Sequence, residues 1–312
     1  MRPTGSSPVI RCRVREETVL WGTRVLLLAV ALTACGSKNR PGAKPVEVPT
    51  RKPTAGDRIL RHAPAGADAI LEIDLARLRK NEVVGPLVVA VTAAGEVGGD
   101  LIAIGDAVLV ASYRIGQTDA GQLVFVAGSR AGELRGAHRI DDGLVAFGPP
   151  ALLRQVDAVG AGQGASLVAD RPLLRARALA MPAAAQGASL RIAADLPFDA
   201  RLALAKRLEV DVVPEWISVW FDVADDLAGV ALLGGGDDAD PKDLVTAVSR
   251  LRDRLAGAES VQRVGLDALL EDVRIEPTGP DARVVLVVGP RRLSRVVAIV
   301  MDRMQQAGGV QP

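Results

Sequence analysis

Aromatic residues are scarce in this chain of 312 residues: three tryptophans, one tyrosine and four phenylalanines make up 3% of it. A surface that stacks nucleic acid bases or sugar rings needs several interleaved aromatics, so the sequence argues against both. Only two histidines and two cysteines occur, too few for a zinc site built from these residues. With 49% hydrophobic and 24% charged residues, the chain nevertheless has the composition of a folded protein.

A short hydrophobic segment lies near the N-terminus. The segment from Val25 to Ala34 is an uncharged run of ten residues, about half of what a bilayer-spanning helix needs. Its length matches the hydrophobic region of a signal peptide, and Arg24 stands directly before it. The run ends in Leu32-Thr33-Ala34-Cys35, where an aliphatic residue and two small residues precede a cysteine. This pattern resembles the lipobox of bacterial lipoproteins.

The lipobox resemblance implies a modification at Cys35. A diacylglyceryl group would be transferred to its sulfur, residues 1–34 would be removed as a signal peptide, and the new N-terminus would be acylated. Three acyl chains exceed the two signals that stable membrane attachment requires. Because Gly36 and not aspartate follows the cysteine, the resemblance further implies transport to the outer membrane, facing the periplasm. The alternative is a free cysteine that ends a hydrophobic run by chance.

Cleavage before Cys35 would also change the thiol and charge balance. Cys12 would leave with the leader, so the mature chain would have no free thiol and no disulfide. It would keep 33 basic and 35 acidic residues, a net charge of −2. This balance speaks against nucleic acid as a partner. The sequence indicates no cofactor.

Residues 35–61 form a basic, proline-spaced segment. Prolines recur every four residues from Pro41 to Pro53, and the segment carries a charge of about +5. Because proline fixes φ and removes a hydrogen-bond donor, we expect an extended tether between the lipid anchor and a folded domain. Two interpretations remain open: the basic residues lie on anionic lipid headgroups, or the segment is a soluble linker.

Two stretches of the remaining chain match each other at an offset of 141 residues. In each, a short apolar strand is followed by Gly-Pro, at Gly148-Pro149 and at Gly289-Pro290, and then by an amphipathic helix. Proline is favourable in the first turn of a helix because its missing N–H has no partner there. The match predicts an internal duplication.

The elements before the matching stretches follow the same order in both halves. Each half is predicted to contain a strand, a helix, a hairpin, a further helical segment, a strand and a helix. The predicted hairpins join residues 107–113 to 122–127 and residues 216–223 to 227–233. This order resembles the split βαβ, ferredoxin-like plan with an extra C-terminal helix. We therefore predict an α+β protein with two tandem ferredoxin-like lobes, residues 62–188 and residues 189–312.

Trp216 and Trp220 stand out in a chain with so few aromatics. They are four residues apart in a predicted strand, so their side chains point to the same face of the sheet. One interpretation is core packing. The other is a partner-binding surface, because tryptophan is enriched among the residues that dominate binding energy at interfaces.

Two groups of carboxylates are candidates for chemistry. Asp237, Asp238 and Asp240 cluster in a glycine-rich segment, and their oxygens suit a hard cation such as Ca²⁺, although the spacing does not fit an EF-hand loop. A solvated turn that ends in a helix cap at Asp240 also explains the cluster. Asp74 and Asp195 each follow a predicted strand, at corresponding places in the two halves. They are candidates for an acid–base pair or for helix N-caps.

No motif in the chain specifies a catalytic site. The G-x-G-x-x-A pattern at residues 160–165 follows a predicted helix and not a strand, so we expect a linker there. No G-x-S-x-G occurs, and neither His62 nor His138 has a serine elbow near it. The order of lipobox, proline-rich linker and folded domain resembles exported lipoproteins of GC-rich bacteria, a resemblance that supplies no functional residues.

These observations favour a lipid-anchored protein of the bacterial cell envelope with a binding, scaffolding or structural role. Its partners would be the membrane, through the anchor, and another envelope protein. The alternative is an exported carboxylate- or metal-dependent enzyme that uses Asp74, Asp195 or the aspartate cluster. An acidic domain with one exposed apolar strip would favour the first hypothesis, and a deep cleft with converging carboxylates would favour the second.

Overall fold

A computed structural model describes residues 54–93, 99–179, 188–235, 240–263 and 266–308. The strands in these ranges form one ten-stranded sheet in which every strand is antiparallel to its neighbours. Helices alternate with the strands along the chain. The predicted α+β class is therefore confirmed.

The first half of the fold runs from residue 54 to residue 179. Its strands are β1 (Ala69–Asp74), β2 (Ala107–Tyr113), β3 (Gly121–Ala127), β4 (His138–Asp141) and β5 (Leu144–Phe147). Its helices are α1 (Ala55–Leu60), α2 (Leu75–Lys80), α3 (Gly85–Ala93), α4 (Gly99–Ile104), α5 (Pro150–Gly160) and α6 (Arg171–Leu179).

The second half runs from residue 188 to residue 308. Its strands are β6 (Leu190–Asp195), β7 (Trp216–Val223), β8 (Leu227–Gly234), β9 (Arg274–Thr278) and β10 (Asp281–Val288). Its helices are α7 (Phe198–Leu208), α8 (Pro241–Gly257), α9 (Glu259–Arg263), α10 (Asp267–Leu270) and α11 (Pro290–Gly308).

The strand order of the sheet is β4-β5-β3-β2-β1-β6-β7-β8-β10-β9. The two halves meet where β1 pairs with β6. Outward from this central pair, both halves run through their first, second, third, fifth and fourth strands. The two predicted lobes therefore share one continuous sheet.

This strand order differs from the expected ferredoxin-like plan. In a split βαβ unit the two strands joined by a helix run parallel, with another strand between them. Here β1 and β2 are joined through α2, α3 and α4, yet they are adjacent and antiparallel. Strands β6 and β7, joined through α7, are related in the same way. The ferredoxin-like topology is not confirmed, because an order of strands and helices along the chain does not specify which strands are neighbours.

Predictions that rest on short sequence patterns are confirmed. Both predicted hairpins form, as β2 with β3 and as β7 with β8. Gly148-Pro149 lies between β5 and α5, and Gly289-Pro290 lies between β10 and α11. The predicted helix after the first strand is divided in two, because α2 ends at Lys80 and α3 begins at Gly85.

The sequence patterns missed the two edge strands of the sheet. Strand β4 has the sequence HRID and strand β9 has the sequence RIEPT, and no residue of either is fully buried. A strand at a solvated edge lacks the alternation of apolar and polar residues by which strands are recognised. Each half therefore contains five strands and not the four that were predicted.

The fold begins before the predicted boundary at residue 62. The side chain of Thr54 caps α1 by accepting a hydrogen bond from the backbone N–H of Asp57, whose carboxylate in turn accepts from the backbone N–H of Thr54 at 2.7 Å. Ile59 and Leu60 of this helix are buried. Residues 54–61 therefore belong to the first half and not to the tether.

The faces of the sheet are covered differently in the two halves. In the first half, one face packs Phe125 against α1, α5 and α6 through Ile59, Leu152 and Leu173. A smaller cluster around Val126 covers the opposite face of the same half.

In the second half, the opposite face carries the largest of the three clusters. It joins strand residues such as Val219 and Leu286 to Leu244 of α8. The other face of β7, β8 and β10 contributes one residue, Val285, to the three clusters. This face carries Trp216 and Trp220.

Candidate functional site

The sequence-predicted site residues fall into two groups. Cys35, Asp237 and Asp238 lie outside the described residues. Asp240 is described, and its side chain accepts a hydrogen bond from the backbone N–H of Lys242 at 2.8 Å, which makes it the N-cap of α8. The helix-cap interpretation of Asp240 is thus confirmed.

Asp74 and Asp195 do not form a pair. Asp74 caps α2 by accepting from the backbone N–H of Arg77 at 2.8 Å. Asp195 caps no helix, since Pro197 precedes α7 without a side-chain cap. Because β1 and β6 are antiparallel, the two aspartates lie at opposite ends of the central pair, about 20 Å apart for six residues of extended chain. The acid–base interpretation is therefore wrong, and the N-cap interpretation is confirmed for Asp74 alone of the two.

The two histidines lie in separate ion pairs. His138 Nε2 is 2.7 Å from Asp157 Oδ1, and His62 Nε2 is 3.8 Å from Asp141 Oδ2. Both histidine side chains are partly buried. Among the residues that the structure describes, no group of three or more His, Cys, Asp and Glu side chains could hold a metal ion.

A buried charge network spans the central strand pair. Glu72 of β1 is directly opposite Arg191 of β6, and both are less than 10% exposed. Arg177 of α6 donates from Nε and Nη2 to the two oxygens of Glu72, the second at 2.8 Å, and its Nη2 is also 2.8 Å from Asp57 Oδ1. Four charged residues from α1, β1, α6 and β6 thus meet at one place.

The electrostatics of this network are those of a structural clamp. Burial alone would lower the pKa of Arg177, but hydrogen bonds and charge from Glu72 and Asp57 outweigh it and raise that pKa. Burial likewise raises the pKa of Asp57, while hydrogen bonds from Thr54 and the charge of Arg177 lower it overall. The network fixes α1 and α6 to the sheet. Sequence reasoning missed it because its members are far apart in the chain.

Trp216 and Trp220 lie on one face of β7, as predicted. The register places Trp220, Val230 and Val285 in one row across β7, β8 and β10, and Trp216 and Gly234 in another. We call this surface the tryptophan face and define it by its partly exposed apolar side chains: Trp216, Trp220, Val230, Leu232 and Val287.

The tryptophan face is an incompletely covered apolar surface. None of its five side chains belongs to the three hydrophobic clusters, and Val287 is 47% exposed. The corresponding position in the first half, Ala146, is fully buried. The second half therefore exposes apolar side chains on this face, whereas the first half buries the side chains at the corresponding positions.

Helix α6 borders this face without covering all of it. Ser218, between the two tryptophans, donates from Oγ to the carbonyl oxygen of Ala176 on α6. The indole Nε1 of Trp220 is buried and has no hydrogen-bond partner in the described part of the chain. A buried donor without an acceptor costs about 1–3 kcal/mol.

The indole of Trp216 lies over β8 at Gly234. A Cβ atom on Gly234 would be 1.9 Å from Trp216 Nε1, so the absence of a side chain at Gly234 makes room for the indole. Trp216 is directly opposite Asp195 on β6, and Gly234 is directly opposite Asp281 on β10. One row of the sheet therefore reads Asp195, Trp216, Gly234, Asp281.

More carboxylates gather at this end of the sheet. Asp68 precedes β1 and accepts from the backbone N–H of Ile115 at 2.6 Å. Burial raises the pKa of Asp68, backbone hydrogen bonds lower it, and the charge of Asp195 raises it, with a net upward direction. Tyr113 donates to the carbonyl oxygen of Pro64 at 2.9 Å, and burial raises its pKa. The arrangement joins an apolar face to an acidic end, which suits non-covalent binding.

Comparisons with known proteins identify no family. No family model matches the chain, and no curated protein matches it. The chain is similar to the solved structures "Structure of crystal form I of TP0453" and "Structure of crystal form III of TP0453", each with 10% sequence identity and a TM-score of 0.43. Both alignments cover 77% of this chain, and they cover 96% and 97% of the respective structures.

Among the described residues, no helix is both long enough and apolar enough to cross a membrane.

Proposed function

We propose that this protein is a lipid-anchored component of the bacterial cell envelope that binds a partner protein through the tryptophan face and performs no catalysis. Residues 1–34 act as a signal peptide, and Cys35 carries the lipid that attaches the protein to the outer membrane on its periplasmic side. The basic segment up to residue 53 tethers the folded part to that membrane. The lipobox at Leu32-Thr33-Ala34-Cys35 supports these assignments.

The observation that carries the binding role is the incomplete burial of the tryptophan face. Exposed contiguous apolar surfaces on folded domains mark interaction sites, and tryptophans are over-represented among the residues that dominate interface energy. Trp216 and Trp220 are two of the three tryptophans in the chain, and both lie on this face. A partner protein bound on this face would cover Val287 and the two indoles and so remove them from water.

We also propose that the two halves arose by duplication. The identical strand order outward from β1 and β6 supports this origin, as do the matching Gly-Pro dipeptides between a strand and a helix. The tryptophan face is then a place where the second copy diverged, because Val287 occupies the position of the buried Ala146.

A second candidate, a carboxylate- or metal-dependent enzyme, has one observation in its favour. Strand β8 ends at the same end of the sheet as Asp195 and Asp281, and Asp237 and Asp238 follow it in the sequence. We expect millimolar Ca²⁺ or Mg²⁺ to shift the melting temperature by less than about 2 °C, because a cation at 100 times its dissociation constant adds about 2.7 kcal/mol and would shift it further. A larger shift would favour this second candidate.

Photo-crosslinking in intact cells tests the docking surface. A benzophenone amino acid replaces Val287 or Leu232 on the tryptophan face, and Val89 on α3, which is 59% exposed, serves as the matched apolar control. We expect one discrete crosslinked adduct from Val287 and Leu232 and none from Val89. No adduct from either face position, or the same adducts from Val89, would contradict the proposed function.

A further inference from the structure

The row that contains Trp216 places an indole between two carboxylates. Asp195 is directly opposite Trp216, and Asp281 is the next neighbour beyond Gly234. Directly opposite residues of an antiparallel pair have Cβ atoms about 4.5–5.5 Å apart and point to the same face. Because Gly234 has no side chain, the indole lies over β8 in the direction of Asp281.

Neither carboxylate is neutralised by the described part of the chain. Burial and the charges of Asp170 and Glu215 all raise the pKa of Asp195. Partial burial also raises the pKa of Asp281. Both side chains thus lie in surroundings that disfavour their negative charge and would be stabilised by an added cation.

The nearby cations have other partners. Arg201 Nη1 is 3.1 Å from Glu215 Oε1. Arg283, two residues from Asp281 on the same face, has its Nη1 3.5 Å from Glu276 Oε1. The acidic row therefore retains unbalanced negative charge beside an apolar surface.

On the basis of the proposed docking function, we propose that the partner presents a cationic polypeptide segment. This segment places a lysine or arginine side chain over Trp216, between Asp195 and Asp281. The indole face attracts the cation through its quadrupole, and the carboxylate of Asp195, directly opposite Trp216, accepts a charge-assisted hydrogen bond from it. Asp281 lies three strand spacings from Asp195, about 14 Å, and pairs with a second basic side chain of the same segment. Val230 and Leu232, next to this row, contact the apolar side chains of the same segment. The acidic row also steers a basic partner toward the face before contact.

Tryptophan fluorescence reports directly on this site. In the full chain with Trp21→Phe, the remaining tryptophans are Trp216 and Trp220, so all tryptophan emission comes from the tryptophan face. The probe is the blocked peptide acetyl-Lys-Leu-Lys-Leu-Lys-amide, and its counterpart has glutamate in place of lysine. We expect a saturable emission change with the lysine peptide, at least tenfold tighter than with the glutamate peptide, and a weaker response in high salt.

Variants that neutralise one carboxylate at a time show which negative charges bind the lysine peptide. We expect Asp195→Asn and Asp281→Asn each to weaken lysine-peptide binding at least fivefold. Asp225→Asn is the matched control, because it removes the same charge from the exposed turn at the other end of β7, and it should leave the affinity within twofold. Melting curves of the two site variants check that they fold. Equal weakening by Asp225→Asn would overturn the proposal, since binding would then follow net charge alone.

Three further outcomes show which part of the two proposals fails. If Val287 crosslinks to a partner but the lysine peptide does not bind, the cationic character of the partner is wrong and the docking role stands. If crosslinking fails as well, the docking role falls with it. If tetramethylammonium binds as tightly as the lysine peptide, the row is a site for small cations and the polypeptide proposal is overturned.

Discussion

Glu72 and Arg177 show how a few buried charges can hold a wide sheet together. Their bond connects a strand at the centre of the sheet to α6, and Asp57 adds α1 to the same contact. A buried pair of this kind adds little net stability compared with apolar packing, but removing one partner leaves an uncompensated charge in the interior.

We therefore expect Glu72→Gln to lower the free energy of unfolding by roughly 2–4 kcal/mol. The amide keeps the shape of the side chain but leaves Arg177 with less negative charge around it. Urea unfolding monitored by circular dichroism measures the change. Asp211→Asn, which breaks the solvent-exposed pair with Arg250, is the control and should have no measurable effect. Equal stability of the two variants would show that the network is not a clamp.

Asp195 is expected to lower stability at neutral pH. Its pKa in the folded protein is raised above the ordinary value of 3.8. A raised carboxyl pKa means that the folded state binds the proton more tightly, so this contribution to stability is present below about pH 3.8 and is lost as the pH rises through the folded-state pKa.

Asp195→Asn should consequently raise the melting temperature at pH 7 by about 1–2 °C. The difference from the unmodified protein should shrink as the pH falls below 3.8 and vanish at about pH 2, because Asp195 is then protonated in both the folded and the unfolded state. Differential scanning calorimetry across this pH range measures it. A variant that melts lower at pH 7 would mean that Asp195 makes favourable contacts with the folded chain.

At the scale of elements, the two edge strands decide whether the sheet stays separate from others. Strand β9 ends the sheet on one side and contains Pro277, opposite Ala282 of β10. Proline has no N–H to donate, so within a sheet it is tolerated where that N–H would face the open edge. Pro277 therefore interrupts the row of donors that another strand would need for pairing.

Pro277→Val should make the protein self-associate. Valine restores the N–H at the open edge and favours the extended conformation. We expect a concentration-dependent increase in mass by light scattering, with the melting temperature unchanged or higher. Thr278→Val is the control, because it raises the strand propensity of the neighbouring position but keeps the proline. Its mass by light scattering should equal that of the unmodified protein. Unchanged mass for Pro277→Val would show that other features protect the edge.

Elements predicted correctly from the sequence are those whose signal is local. The alternation around Trp216 and Trp220 placed both on one face, and the Gly-Pro dipeptides marked two helix starts. The order of the strands in the sheet was not predictable. Strands β1 and β6 are far apart in the sequence, and hydrophobic periodicity within a strand does not indicate which distant strand it pairs with. For the same reason the row of Asp195, Trp216 and Asp281 was missed: it exists only through register across three strand pairs.

At the scale of the whole molecule, the proposed attachment and the proposed binding are separate properties. The proposed anchor at Cys35 and the tryptophan face lie in different parts of the chain, so each can be removed without the other. Cys35→Ser should abolish incorporation of radiolabelled fatty acid and removal of residues 1–34. Mass spectrometry and labelling of the envelope fraction measure both. Undiminished labelling of the variant would refute the lipobox assignment.

The pairing of β1 with β6 has a consequence for how the chain reaches its fold. The pair joins residues roughly 120 positions apart, whereas both hairpins close through a few residues, so the entropic cost of closing its loop is larger by about 3 kcal/mol. Local contacts form before distant ones. Each half should therefore assemble its own meander early, and the union of the halves, with α6 closing over Ser218, should be the slow step of folding.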